Sequence, residues 1–128
     1  MAFKPEGYNS ASPYLLVEGA QATVDFLKAV FDAQPLRMVP GEHGRLRHAE
    51  VRIDDTVVML ADAIDGWPAV DAHVHVYVAD VDAAWSRAMQ AGGTVVQAPA
   101  QKDDGDKRGG VRDPGGTTWW ISQQVGGD

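Results

Sequence analysis

The sequence predicts an α+β fold assembled from two copies of one βαβββ unit. Three observations predict it. Asp54-Asp55-Thr56, a tight turn running into Val57-Val58-Met59-Leu60, returns as Gly115-Gly116-Thr117 running into Thr118-Trp119-Trp120-Ile121, an offset of 115 − 54 = 61 residues. The helical segment from Gly19 to Ala33 returns from about Asp80 to Gly93, and the apolar strand Tyr14–Val17 returns as His75–Val78. Arg47 falls on Arg108 at the same offset. Self-similarity of order and spacing implies a duplicated supersecondary unit, and two such units can build a pocket between them.

The elements follow in order. Residues 1–10 carry no periodicity and read as an irregular lead-in. Pro13–Val17 is a short strand. Ala20, Val24, Leu27, Val30 and Phe31 recur at helical spacing and give the first helix one apolar stripe. Pro35 stops that helix, and a strand near Leu36–Val39 follows. Gly41–Gly44 is a turn, and Leu46–Ile53 and Thr56–Ala61 form a hairpin across Asp54-Asp55. Asp62–Val70, with Gly66 and Pro68, links the halves. The second half opens on the strand Ala72–Ala79. Asp80 caps a helix whose buried stripe is Val81, Ala84, Trp85, Ala88 and Met89, and Gly92-Gly93 ends it. A short strand at Thr94–Val96, a mobile charged loop at Gln101–Arg108, and strands at Gly110–Arg112 and Thr117–Ser122 complete the copy. The chain is thus one domain, 1–128, with modules at about 11–62 and 71–123 and a linker at about 63–70.

Alternation assigns the sheet faces. Leu15, Val17, Val58, Leu60, Val74, Val76, Val78, Trp119 and Ile121 face the helices. Ser12, Tyr14, Leu16, Val57, Met59, Ala61, His73, His75, Tyr77, Thr118, Trp120 and Ser122 then face inward. His48, Glu50 and Arg52 share one face of their strand.

Composition excludes several function classes. Cysteine is absent, which removes disulfide and thiolate chemistry and is compatible with a cytoplasmic location. No apolar run has the length of about 20 residues that a membrane span needs, and the N-terminus shows no signal pattern. A net charge of −7 argues against nucleic acid as a partner and favours a neutral or cationic ligand.

Paired βαβββ units, the ending Gly105-Asp106-Lys107-Arg108-Gly109-Gly110-Val111-Arg112-Asp113-Pro114-Gly115-Gly116-Thr117-Thr118-Trp119-Trp120 and the earlier stretch from His48 to Asp62 resemble the vicinal-oxygen-chelate superfamily of glyoxalases, bleomycin-resistance proteins and extradiol dioxygenases. The similarity is to its small single-domain branch, PhnB-like or bleomycin-resistance-like, and covers about residues 11–123. It implies a curved, half-open mixed sheet and a homodimer that shares its pockets. For catalytic members it implies a divalent metal held by four inward side chains. Those positions map to Ser12, Met59, His73 and Trp120, with 59 − 12 = 120 − 73 = 47. Only His73 suits the role, because serine is a poor neutral ligand, methionine is soft and tryptophan donates nothing to a metal.

We therefore expect no metal cofactor. A displaced site would have to draw on His48, Glu50, His73 and His75. No nucleophile elbow or phosphate-cradling loop occurs, and Gly109-Gly110 and Gly115-Gly116 read as hairpin and turn glycines. With the metal ligands replaced, Ser12, Tyr14, Met59, Trp67, His73, His75, Tyr77 and Trp120 would line an apolar, aromatic pocket. The first expectation is a metal-independent protein that sequesters an aromatic or partly cationic small molecule. A lyase, isomerase or dioxygenase with an unusual metal site, and a structural dimer whose pocket is filled by its own side chains, are the alternatives.

Overall fold

A computed structural model of the chain describes residues 2–126. The first module runs β1 (Tyr14–Val17), α1 (Ala20–Phe31), β2 (Gln34–Pro40), β3 (Leu46–Ile53) and β4 (Thr56–Asp62). The second runs β5 (Ala72–Tyr77), α2 (Val81–Gln90), β6 (Thr94–Gln101), β7 (Asp106–Arg112) and β8 (Thr117–Gln124). Each module forms its own four-stranded mixed sheet, in the orders β1-β4-β3-β2 and β5-β8-β7-β6. The first strand of each is parallel to the last, and the other pairs are antiparallel. No helix among the described residues is long and apolar enough to cross a membrane.

Both helices begin on a carboxylate, by different routes. α2 has its own cap, the Asp80 side chain accepting from the Ala83 N–H at 3.1 Å. α1 starts from Gly19, which has no side chain to offer and sits at φ 80°. Asp62 at the far end of β4 substitutes. Its Oδ1 accepts from the Gly19 and Ala20 N–H groups at 2.9 and 2.8 Å, and its Oδ2 from the Leu46 N–H at 2.7 Å. One side chain thereby fixes the helix start and two strands.

The helix-side faces of both sheets and the two helices form one core, with Val17, Val24, Leu27, Val30, Val51, Leu60, Val81, Val111, Trp119 and Ile121 nearly or fully buried. Helix packs on helix between the modules. Phe31 meets Trp119 with ring centroids 5.6 Å apart. Arg87 of α2 donates through Nε and Nη2 to the Val30 carbonyl in the last turn of α1, at 3.0 and 2.9 Å, where a cation also meets the negative end of the helix dipole. Asp113, 4% exposed, accepts from the Gly115 and Thr117 N–H groups and from Trp119 Nε1 at 2.8, 3.1 and 2.7 Å. That gathers the last turn and the largest core side chain on one carboxylate. The face assignment read from alternation holds throughout this core, and the inner faces of both sheets lie outside it.

The charged segment departs from expectation. Asp106, Lys107 and Arg108 begin β7 rather than ending a mobile loop, and β6 continues to Gln101 instead of stopping at Val96. The reason is pairing. Arg108 binds Asp104 and Asp106 at 3.0 and 2.9 Å and Ser122 Oγ at 2.7 Å, so the charges satisfy one another on the sheet. Gly109 and Gly110 are mid-strand residues, not hairpin residues. A Cβ at Gly109 would lie 2.9 Å from the Trp85 ring, and one at Gly110 would lie 2.6 Å from the Trp120 ring. Their bareness seats a tryptophan on each face of β7.

The repeat carries a one-residue slip. β1 and β4 map onto β5 and β8 at 61 residues, since Tyr14 pairs with Met59 as His75 pairs with Trp120. β3 maps onto β7 at 60, since Glu50 faces Met59 and Gly110 faces Trp120. Three residues, Pro114-Gly115-Gly116, separate the bonded Asp113 and Thr117, where two, Asp54-Asp55, separate the paired Ile53 and Thr56. Arg108 is therefore the counterpart of His48, not of Arg47.

Candidate functional site

On the inner face of the first sheet a relay of polar side chains links the lead-in, β3 and β1. Glu50, 6% exposed, accepts from the Tyr8 hydroxyl at 2.5 Å and pairs with His48 Nε2 at 2.7 Å. The other His48 nitrogen, Nδ1, lies 3.1 Å from the Tyr14 hydroxyl. The Tyr8 hydrogen bond, followed by that of His48, holds the Glu50 carboxyl below its ordinary range against the opposing effect of burial, and the same bond raises the Tyr8 phenol. The lead-in thus has a role its sequence does not announce. Besides Tyr8, the Gly7 carbonyl accepts from Arg52 and the Asn9 side chain accepts from the Val57 N–H, so residues 7–9 close one end of this face.

The other end is open. A groove of about 770 Å³ is walled by Tyr14, Leu16, Leu46, Ala61, Ile64 and Trp67, with Arg45, Arg47 and Glu42 at its rim. The linker places Trp67. Its backbone hydrogen-bonds β1 at Ala63→Val17 and Val70→Leu16, and Ile64 and Trp67 exchange both of their amide bonds in a tight turn between those points. Trp67 is 63% exposed and Tyr14 52%. Among the described residues neither Arg45 nor Arg47 is ion-paired, whereas Asp62 is consumed by three backbone donors.

The second inner face is covered at its centre by Trp120, which lies over Gly110. Trp120 Nε1 donates to His73 Nδ1 at 3.0 Å, with the two rings near-parallel at 11° and their centroids 6.1 Å apart. Tyr77 donates to Asp106 at 2.8 Å, which raises its phenol, and His75 packs edge-on against Tyr77. Burial, with Arg108 nearby, lowers the His75 imidazole.

The chain therefore divides the residues that the sequence groups together. Tyr14 and Trp67 line the groove. Met59 lies on the same inner face opposite Glu50, with Ser12 just before β1. His73, His75, Tyr77 and Trp120 belong to the other sheet. His48 and Glu50 meet each other but not His73 or His75, and among the described residues no three His, Asp or Glu side chains come together as a metal site requires. The four positions that the resemblance gives to a metal do not fit one, because Trp120 turns its N–H onto the single credible ligand, His73. Sequence reasoning missed Arg45, Leu46, Arg47 and the role of Tyr8. Two arginines directly after the Gly41–Gly44 turn were the available signal.

The family pattern described as the glyoxalase/bleomycin resistance protein/dioxygenase superfamily matches residues 10–121. The chain belongs to that superfamily. An uncharacterized protein of Mycobacterium bovis is 39% identical, over 89% of this chain and 82% of that protein. Among solved structures, TioX from Micromonospora superposes with a TM-score of 0.71 at 25% identity, covering 91% of this chain and all of TioX. TnmS3 from Streptomyces, described as an antibiotic binding protein, superposes with a TM-score of 0.70 at 23% identity, covering 98% and 99% of the two chains. The last likeness concerns the fold alone.

Proposed function

We propose that this superfamily member binds an aromatic small molecule without a metal, holding it in the groove of the first module. The observation that carries the reading is the groove itself: a concavity of about 770 Å³ between Tyr14, Leu16, Leu46 and Trp67, large enough for a drug-sized ligand. The same fold serves antibiotic binding in the Streptomyces protein. The acidic net charge suggests a cationic ligand, but the free charge at the rim is mostly basic, and Arg45 and Arg47 favour an anionic end. The reading includes a homodimer. Each inner face turns away from the shared core and leaves Tyr14 and Tyr77 more than half exposed, and a second copy would cover them.

The test is titration with 8-anilino-1-naphthalenesulfonate, an anionic aromatic fluorophore, in excess chelator. Parent protein binds it, and Trp67→Ala weakens binding about tenfold, the effect of losing an aromatic anchor. Affinity unchanged in both Trp67→Ala and Tyr14→Ala would remove the groove as the site. Binding abolished by the chelator would revive the metal-dependent alternative.

A further inference from the structure

We infer that the groove is also a proton-transfer site, in which the Tyr14 hydroxyl is the catalytic group and His48 and Glu50 position and charge it, acting on an enolisable 2-oxo acid with an apolar or aromatic tail. The inference rests on the groove being the ligand site. Its own support is geometric. Tyr14 stands in the groove wall and reaches from β1 to β3, where its hydroxyl lies 3.1 Å from His48 Nδ1. His48 Nε2 is committed at 2.7 Å to Glu50, which is nearly fully buried and held by Tyr8 on its other oxygen. With Nε2–H given to the carboxylate, Nδ1 presents its lone pair to the phenol. This is the order of parts that activates a hydroxyl: a buried anion, an oriented imidazole and an exposed O–H.

The step balances without a cofactor. The Tyr14 oxygen takes a proton from the substrate carbon next to the keto group while its own proton passes to His48 Nδ1. The C–H electron pair becomes the C=C bond of an enolate, and the carbonyl pair moves onto oxygen. The imidazolium so formed faces the Glu50 carboxylate. Reversal returns the proton through Tyr14 to carbon or, giving the enol, to oxygen. Arg45 and Arg47 at the rim supply unpaired guanidinium groups for the carboxylate. Leu16, Leu46 and Trp67 take the tail. Glu50 held ionised by its two hydrogen bonds is consistent with this role.

The probe is 2-oxo-4-phenylbutanoate in deuterated buffer containing chelator, with loss of the C3–H signal followed by proton NMR and binding followed by Trp fluorescence. The expected result is exchange faster than in buffer, lowered about 100-fold by Tyr14→Phe, which is the scale of a lost acid–base group, with affinity nearly unchanged. Glu50→Gln lowers the rate at saturation but not the affinity, and Glu50→Asp restores part of it. The ketone 4-phenyl-2-butanone, which lacks the carboxylate, exchanges more slowly than the acid. Binding that Trp67→Ala weakens, without accelerated exchange, overturns the proton-transfer inference and leaves the binding function standing. Exchange that survives Tyr14→Phe also overturns it. Failure of both acid and ketone to bind where the sulfonate fluorophore does bind overturns the substrate class.

Discussion

Replacing Asp113 by alanine tests how the two modules are joined. The carboxylate is 4% exposed and accepts from Gly115 N, Thr117 N and Trp119 Nε1, all within 3.1 Å. Removing it leaves three buried donors with no partner. Each such donor costs about 1–3 kcal/mol, and the burial cost of the carboxylate itself is relieved, so a net loss of about 3–5 kcal/mol follows. The effect reaches beyond the turn. Trp119 packs on Phe31 of α1, and a Cβ at Gly115 would lie 2.3 Å from Thr23 Oγ1, so the turn rests directly on the first module. A domain of this size has about 5–15 kcal/mol in total, so Asp113→Ala should lie near the edge of folding. Urea unfolding at neutral pH followed by Trp fluorescence measures it. Asp113→Asn, which keeps the shape and one acceptor, should lose less than half as much. An alanine variant within 1 kcal/mol of the parent would refute the assignment of Asp113 as the hub of this junction.

Two further outcomes are expected. The Glu50 carboxyl is lowered from an ordinary 4.5 by Tyr8 and His48, so its contribution to stability is complete above that value and is lost as pH falls through its depressed folded value. The stability difference between parent and Glu50→Gln, from denaturation midpoints, should therefore be constant at neutral pH and shrink only below about pH 4.5. A difference that shrinks between pH 5 and 7 would point to another group. In solution, light scattering should give about twice the chain mass of 13.7 kDa, and the double change His75→Lys with Tyr77→Lys should return it to the monomer value. A monomeric parent at micromolar concentration would remove the dimer.

The fold was legible because its signals are local and periodic. Alternation in Tyr14–Val17, Thr56–Asp62 and Thr117–Ser122 assigns each side chain to a face, and the core agrees with that assignment at Val17, Val58, Leu60, Trp119 and Ile121. The misread segment from Gln101 to Arg108 looks like a loop because its composition is charged and turn-forming. What makes its second half a strand is a set of contacts between Asp104, Asp106, Arg108, Ser122 and Tyr77, residues up to 45 positions apart, as 122 − 77 = 45. Composition does not encode such pairing. The relay was half legible. His48 and Glu50 share a face by parity, but Tyr8 comes from a segment with no periodicity, and only the folded chain brings it to Glu50.

One position accounts for the difference between the two inner faces. A duplication starts with two equal faces, and what breaks the equality is what occupies the β3 and β7 positions opposite Met59 and Trp120. In the first module that place is Glu50. Its carboxylate requires partners, so it gathers Tyr8 and His48, which in turn engages Tyr14 and leaves the region beyond Tyr14 as a groove. In the second module the place is Gly110. With no side chain there, the Trp120 ring lies against the backbone and reaches His73, engaging the one imidazole among the four positions that the resemblance gives to a metal. Where the first module has the imidazole of His48, the second has Arg108, a guanidinium locked to two aspartates. The polar relay and the groove therefore both lie in the first module, with the second supplying core and surface.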